Sequence, residues 1–225
     1  MNNTDQCRDI KELNPLVQVM LNLALEDIKR QGINPLVVET YRTLERQYYI
    51  ACKGRTVEQA VAYGVPKTKA VAYVAQLKAE KNTEPPRTWT VKSIHIQRKA
   101  VDVVPQRLVN GKMKDIWDSQ DKETKAIITT MLKYGFEPGA NWKDNPDSPH
   151  FQVKGDFDNL FYAGHTTYYV TMAVQIALNK KIGAGLITDG IWGDKTTAAV
   201  NKFRAQNLWI QNGKLGATAL KKLLG

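Results

Sequence analysis

Cysteine is nearly absent from this chain. Cys7 and Cys52 are the only two, with no CxxC spacing, so a disulfide-stapled framework is excluded. One bond between them stays open to the sequence, but two free thiols in a reducing compartment are the expected state. Long apolar runs are missing too: "PLVQVMLNLAL" is short and broken by Gln18 and Asn22, so no membrane insertion is expected. The N-terminus "MNNTDQCRDI" lacks the basic start and apolar core of a signal peptide, so synthesis in the cytoplasm without an export signal is expected. Lys and Arg outnumber Asp and Glu by 32 to 22, a formal charge of +10, yet they form no run or stripe. Nucleic-acid binding therefore rests on charge alone and is not expected, whereas anionic envelope polymers suit a diffuse basic surplus. The HExxH signature of many zinc peptidases is absent, and no carboxylate pair stands out for a glycosidase.

What is present reads as an α+β protein without a βαβ rhythm. Leu16, Val19, Met20, Leu23, Ala24 and Ile28 predict a helix over 15–31, closed by Gly32. A β-branched strand over 35–41 follows, then a helix over 43–53 that ends at Gly54. The stretch 57–81 predicts two helices broken at "YGVPK". "AVDVVP" (Ala100 to Pro105) reads as a buried strand stopped by its proline, and Asn110-Gly111 as a hairpin turn. A helix over 120–134 and a strand over 150–153 complete this part, expected as a small antiparallel sheet with flanking helices. Beyond a seam at 155–167, the pattern turns purely helical: "YYVTMAVQIALNKKIG", "KTTAAVNKFRAQN" and "GATALKKLLG" predict a small three-helix domain. The two turns that join these helices echo one another in Gly and Thr. Two domains are expected, 1–160 and 161–225.

The chain has only three histidines. His165 lies in the linker and reads as a solvated side chain. His95 precedes Asp102 across a short basic turn, and His150 follows Asp147 in "DSPHF". Imidazole nitrogen and carboxylate oxygen are zinc donors, and catalytic zinc sites use three protein ligands. His95, Asp102 and His150 could fill that set, with Asp147 left as a nearby carboxylate. Spacing alone also allows ordinary structural histidines.

"SIHIQRKAVD" together with "DSPHF" resembles the paired signature of the M15 zinc peptidases, the D,D-carboxypeptidase and L-alanyl–D-glutamate endopeptidase group. "ETYRTLERQ" and "CKGRT" resemble two further segments of that family, in order along the first domain. The resemblance implies a Zn²⁺ cofactor held by His95, Asp102 and His150. It implies Asp147 as the catalytic base and Arg42 as the group that stabilises the polarised carbonyl. Ser93 is expected to satisfy the turn, and Gln47 to be structural. Two departures stand out. Arg98 replaces a glycine, so the turn between the ligands is not expected to use a positive φ easily. About twenty extra residues, centred on "VAYGVPKTKAVAYVAQLKAEKN", could cover the cleft or reshape the substrate groove.

The C-terminal segment resembles the type 1 peptidoglycan-binding domain, through Asp189, Gly190, Gly193, Thr196, Ala199, Val200 and Phe203, then Gly213, Gly216, Thr218 and Leu220. Arg204 replaces the usual glutamine. Asp189, Trp192, Thr196 and Phe203 are the candidate wall-binding residues. A zinc peptidase joined to a wall-binding module, with no signal peptide, is similar to a phage endolysin. The expectation is a monomer whose partner is bacterial peptidoglycan, reached through a holin, and which cuts the stem peptide at L-Ala–D-Glu. The alternatives are a D,D-carboxypeptidase acting on D-Ala-D-Ala and a non-catalytic wall-binding protein.

Overall fold

The computed structural model describes residues 4–153 and 167–224. Helix α1 (Pro15–Arg30) is capped by Asn14, whose side chain accepts the Leu16 N–H, and carries proline in its first turn and Lys29 and Arg30 in its last. Buried residues occur nearly all round it, from Leu16 through Leu21 and on to Ala24, Leu25 and Ile28. Such a helix must be covered on more than one side.

One cover is an antiparallel sheet built on a long central strand, β2 (Ala100–Val109). On one side lies β1 (Asn34–Glu39). The other side takes β5 (His150–Gln152) along the first half of β2 and β3 (Lys112–Asp115) along the second; β4 (Glu137–Pro138) adds to β5. Helix α5 (Lys122–Lys133) packs on β2 and α1. The architecture is mixed α and β, a small antiparallel sheet flanked by helices. Val101, Val103, Phe151 and Val153 point into the main core, so the alternate residues Asp102 and His150 share the opposite face.

Pro105 does not stop β2, contrary to the sequence expectation. Its carbonyl accepts the Ile116 N–H on the β3 side, and its partner across β1 is Pro35. Both polar groups of a strand residue face the same side, so this is a non-hydrogen-bonded pair with β1. Neither proline removes a ladder bond there. The Asn110-Gly111 turn forms as expected, with φ of 52° and 74° and Val109 opposite Lys112, the geometry of a two-residue hairpin loop.

The inserted stretch forms α3 (Val57–Ala62), opened by a Thr56–Gln59 capping box, and α4 (Lys67–Ala79). Both pack with α2 (Leu44–Cys52) around a second apolar cluster containing Tyr49, Cys52, Val65, Val74 and Leu77. Cys7 and Cys52 are both buried and free. Burial pushes the Cys52 thiol up to about 11, against the pull of Arg55. At pH 8 only about a thousandth of such a thiol is thiolate, the reactive form. Cys52 should therefore resist a thiol reagent in the folded protein and react at once in urea. Rapid reaction without denaturant would mean that the α2–α4 layer opens readily.

Three C-terminal helices follow: α6 (Thr167–Ile182), α7 (Asp194–Gln206) and α8 (Ala217–Leu224). The expected domain boundary near 160, and His165, lie outside the described residues. On the described side of it, α6 packs directly on α1. Ala173, Val174, Ala177, Leu178, Leu223 and Leu224 join the same apolar cluster as Leu16, Val17, Met20 and Leu21. The C-terminal helices are thus the second cover of α1.

Candidate metal centre

Register places two of the candidate ligands. Asp102 pairs directly with His150 across β2 and β5, so the two side chains emerge side by side on one face. On the other flank Asp102 faces Glu39, because the pairing shifts between Val37 and Glu39 of β1. His95 arrives from a 3-10 turn, Ile94–Gln97, whose cap is Ser93: its hydroxyl accepts the His95 N–H. That is the structural role expected of Ser93.

The turn closes at Arg98 with φ 61°, left-handed in spite of the side chain. The expected difficulty is met by contacts that glycine could not make. The Arg98 guanidinium stacks on Tyr41, 3.8 Å from the ring centre, and its Nη1 donates to the Glu12 carbonyl at 2.6 Å and to the Glu12 carboxylate.

His95 Nε2, His150 Nδ1 and Asp102 Oδ1 form a triangle with 3.2 Å on every side. The remaining ring nitrogens fix the tautomers. His95 Nδ1 lies 2.7 Å from the Thr40 carbonyl oxygen, which can only accept, so Nδ1 carries the proton. His150 Nε2 lies 3.2 Å from Gln152 Oε1. The Gln152 amide is oriented in turn by Glu137, at 3.5 Å from its Nε2, and Glu137 also accepts from Trp142 Nε1 at 3.2 Å. Two lone pairs and a carboxylate oxygen therefore converge with no donor of their own, an arrangement that needs a cation. Tetrahedral zinc with bonds of about 2.1 Å holds its ligands about 3.4 Å apart, so the set fits that ion. Zn²⁺ would be held by His95, Asp102 and His150.

The electrostatics agree. Burial pushes the Asp102 carboxyl up, but His95 and His150 beside it outweigh burial and hold it well below the usual carboxylate range. Burial lowers His150, and Asp102 more than restores it. The centre attracts positive charge, proton or metal.

Asp147 lines the same cleft without joining the triangle. Its N–H donates to the Gly139 carbonyl at 3.0 Å and its carbonyl accepts the His150 N–H at 3.2 Å, so the loop is held by backbone. A Cβ at Gly139 would stand 2.5 Å from the Asp147 carbonyl oxygen, so only glycine admits this approach. The residue as a whole is exposed at the rim, but protein around the carboxyl raises its affinity for protons, and the Asp102 charge raises it further.

Arg42 also lines the cleft. Its Nη2 pairs with Glu39 at 2.5 Å and stands 3.8 Å from Asp102 Oδ2, and its Nη1 donates to Gln47 at 2.9 Å. Its buried Nε has no hydrogen-bond partner among the described residues. Gln47 is structural, as expected: its amide reaches Thr88 and the Thr90 carbonyl at 3.1 and 2.6 Å. The cleft, about 490 Å³, is walled by Arg87, Trp89, Lys92, Trp117 and Trp142 beside the ligands. No residue of α3 or α4 lines it, so the insertion does not form its wall.

Of the four candidate wall-binding residues, Asp189 and Trp192 are exposed and only Trp192 offers an aromatic surface, with its Nε1 donating to Thr197 at 3.0 Å. Thr196 and Phe203 are buried, and the Asp189 carboxylate holds its turn through Gln175 and the Ile191 N–H, each at 2.9 Å. Sequence reasoning missed Glu39, Thr40, Glu137, Gly139 and Gln152. Thr40 acts through a carbonyl oxygen, which leaves no side-chain signal, and the glycine at 139 does not by itself say which loop approaches it. Glu39 and Gln152 act on near neighbours in sequence, Arg42, Arg46 and His150, whereas Glu137 reaches Gln152 only across the β4–β5 pairing.

Residues 86–153 match the peptidase M15 family described as D-alanyl-D-alanine carboxypeptidase, and this stretch carries His95, Asp102, Asp147 and His150. The part of the chain that builds the centre is therefore similar to a peptidase. Among solved structures, the L-Ala D-Glu endopeptidase ChiX of Serratia marcescens is similar over 69% of this chain and 92% of that one, at 19% identity and a TM-score of 0.41.

Proposed function

We propose that the protein is a zinc-dependent endopeptidase of bacterial peptidoglycan that cuts the stem peptide at the L-Ala–D-Glu bond. The observation that carries this reading is the donor-free triangle of His95 Nε2, His150 Nδ1 and Asp102 Oδ1, with the separate carboxylate of Asp147 in the same cleft. The family match over this stretch supports peptidase chemistry on wall peptides.

Zinc, when bound, supplies a Lewis acid that polarises a carbonyl and acidifies water. The chain's own residues do the rest. Asp147, its carboxyl raised by partial burial and the Asp102 charge, accepts a proton from the attacking water and returns it to the departing amine. Arg42, kept cationic by Glu39 against the cost of burial, faces the charge that develops on the carbonyl oxygen. Exposed Trp89 and Trp117 line the cleft, where they would flank a bound peptide.

A second reading, D,D-carboxypeptidase action on D-Ala-D-Ala, is favoured by the description of the matching family. We further propose that the C-terminal helices bind the wall, with Trp192 on the binding surface, and that the monomer serves as a phage endolysin. It would be made in the host cytoplasm and released through a holin. One digest tests these readings. Purified sacculi treated with zinc-loaded protein should yield new amino-terminal D-Glu by mass spectrometry, and a chelator should stop the release until Zn²⁺ is added back. Loss of terminal D-Ala alone would select the carboxypeptidase reading, and no new termini would sink both.

A further inference from the structure

Asn14 is buried, and its hydrogen bonds reach three parts of the chain. Its Oδ1 accepts the Leu16 N–H at 3.1 Å and so starts α1. Its backbone N–H donates to the Arg98 carbonyl at 2.9 Å, on the back of the turn that presents His95. Its Nδ2 donates to the Leu224 carbonyl at the end of α8. The Arg98 N–H in turn donates to the His95 carbonyl at 3.1 Å. A continuous hydrogen-bonded path therefore runs from the last turn of α8, through one asparagine, to a candidate metal ligand.

Packing follows the same route. Gln97 and Arg98 share a cavity of about 260 Å³ with Ala177 of α6 and Leu223 and Leu224 of α8. In front of the turn, Arg98 stacks on Tyr41, whose neighbour Thr40 accepts the His95 Nδ1 proton and whose other neighbour Arg42 donates its N–H to the His95 carbonyl at 3.4 Å. The His95 turn is held in front by the 40–42 segment and behind by Asn14.

We propose that the C-terminal helices position the metal centre as well as bearing any wall-binding surface, and that Asn14 is the positioning residue that joins them to the His95 turn. The inference rests on the proposed metal centre but not on the identity of the bond cut. A unit that merely covered α1 would need burial alone. A buried amide donor aimed at the α8 carbonyl, with its backbone on the ligand turn, adds a defined direction.

The test uses full-length variants. Asn14→Ser keeps a good helix cap but is too short to reach Leu224. Asn14→Asp also keeps the cap and sets an acceptor against the carbonyl. Lys180→Ala removes an exposed α6 contact to the Lys11 carbonyl and serves as the control. Zn²⁺ affinity is measured by chelator competition, and amide hydrogen exchange over residues 94–99 is followed in metal-free protein. Both Asn14 variants should weaken Zn²⁺ about tenfold, the low end for residues that orient metal ligands. They should also quicken exchange of the 94–99 amides, while Lys180→Ala does neither. If Asn14→Asp fails to fold, Asn14→Ser carries the test. Folded Asn14→Ser with wild-type Zn²⁺ affinity and wild-type exchange at 94–99 overturns the inference. Wild-type protein that binds no Zn²⁺ overturns the metal centre itself, and wild-type protein that binds Zn²⁺ but cuts no wall peptide overturns only the proposed reaction.

Discussion

Asp147→Asn is expected to keep zinc and lose turnover by roughly 10²-fold or more, the usual scale for a missing general base. The substitution preserves shape, and the loop around it is held by backbone bonds from Asp147 N–H to Gly139 at 3.0 Å and from His150 N–H to Asp147 at 3.2 Å. Nothing that aims His150 depends on the Asp147 charge, because the ring is set by Asp102 and Gln152. His150→Ala should instead lose the metal along with activity. Elemental analysis beside kcat on a soluble wall peptide separates the two. An Asn variant that loses zinc would make Asp147 a ligand, and one with near-normal turnover would make it a bystander.

Glu39→Gln is expected to cost about 3–5 kcal/mol of stability, the range for breaking a buried ion pair by removing one partner. The Glu39 side chain is only 4% exposed and lies 2.5 Å from both Arg42 Nη2 and Arg46 Nε, themselves 11% and 15% exposed. A neutral amide would leave the enclosed Arg46 guanidinium without the counter-charge of Glu39, and Arg42 with only the longer contact to Asp102 at 3.8 Å. Urea unfolding measures the loss, and a loss under about 1 kcal/mol would mean that water reaches the pair, as it does in surface salt bridges. The pH dependence has a defined sign. Burial pushes the Glu39 carboxyl up, but Arg42 and Arg46 outweigh burial, so the folded value lies below the unfolded one. Its contribution is fully present above the unfolded carboxylate value of about 4.3 and fades as pH falls through the folded value. The gap between wild type and variant should therefore narrow in acid.

Much of the architecture was legible because the signals are local. The Asn110-Gly111 turn requires two positive φ angles, which Asn and Gly adopt with least strain, and the hairpin forms there. The apolar spacing of α1 and the break at "YGVPK" mark their helices in the same way. Pro105 misled because its effect depends on which neighbour its missing N–H would have faced, a property of the pairing and not of the residue. Arg98 misled for a related reason: the strain of its left-handed backbone is offset by Tyr41 and Glu12, both distant in sequence.

The residue types of the centre were set by the sequence itself. Three histidines in the whole chain, two of them near carboxylates at strand edges, left few candidates, and His95, Asp102, His150, Asp147 and Arg42 all line one cleft. Which nitrogen of each imidazole faces the others was decided only in three dimensions, by the Thr40 carbonyl for His95 and by Gln152, steadied by Glu137, for His150. The C-terminal unit shows the same division. Its helices were readable from their apolar spacing, but the burial of Thr196 and Phe203 and the packing of α6 on α1 were not. A helix pattern states that one face must be covered, and only the packed chain determines what covers it. Local periodicity comes from bonds between near neighbours, whereas the cover, the tautomers and the register come from contacts between residues the sequence keeps far apart.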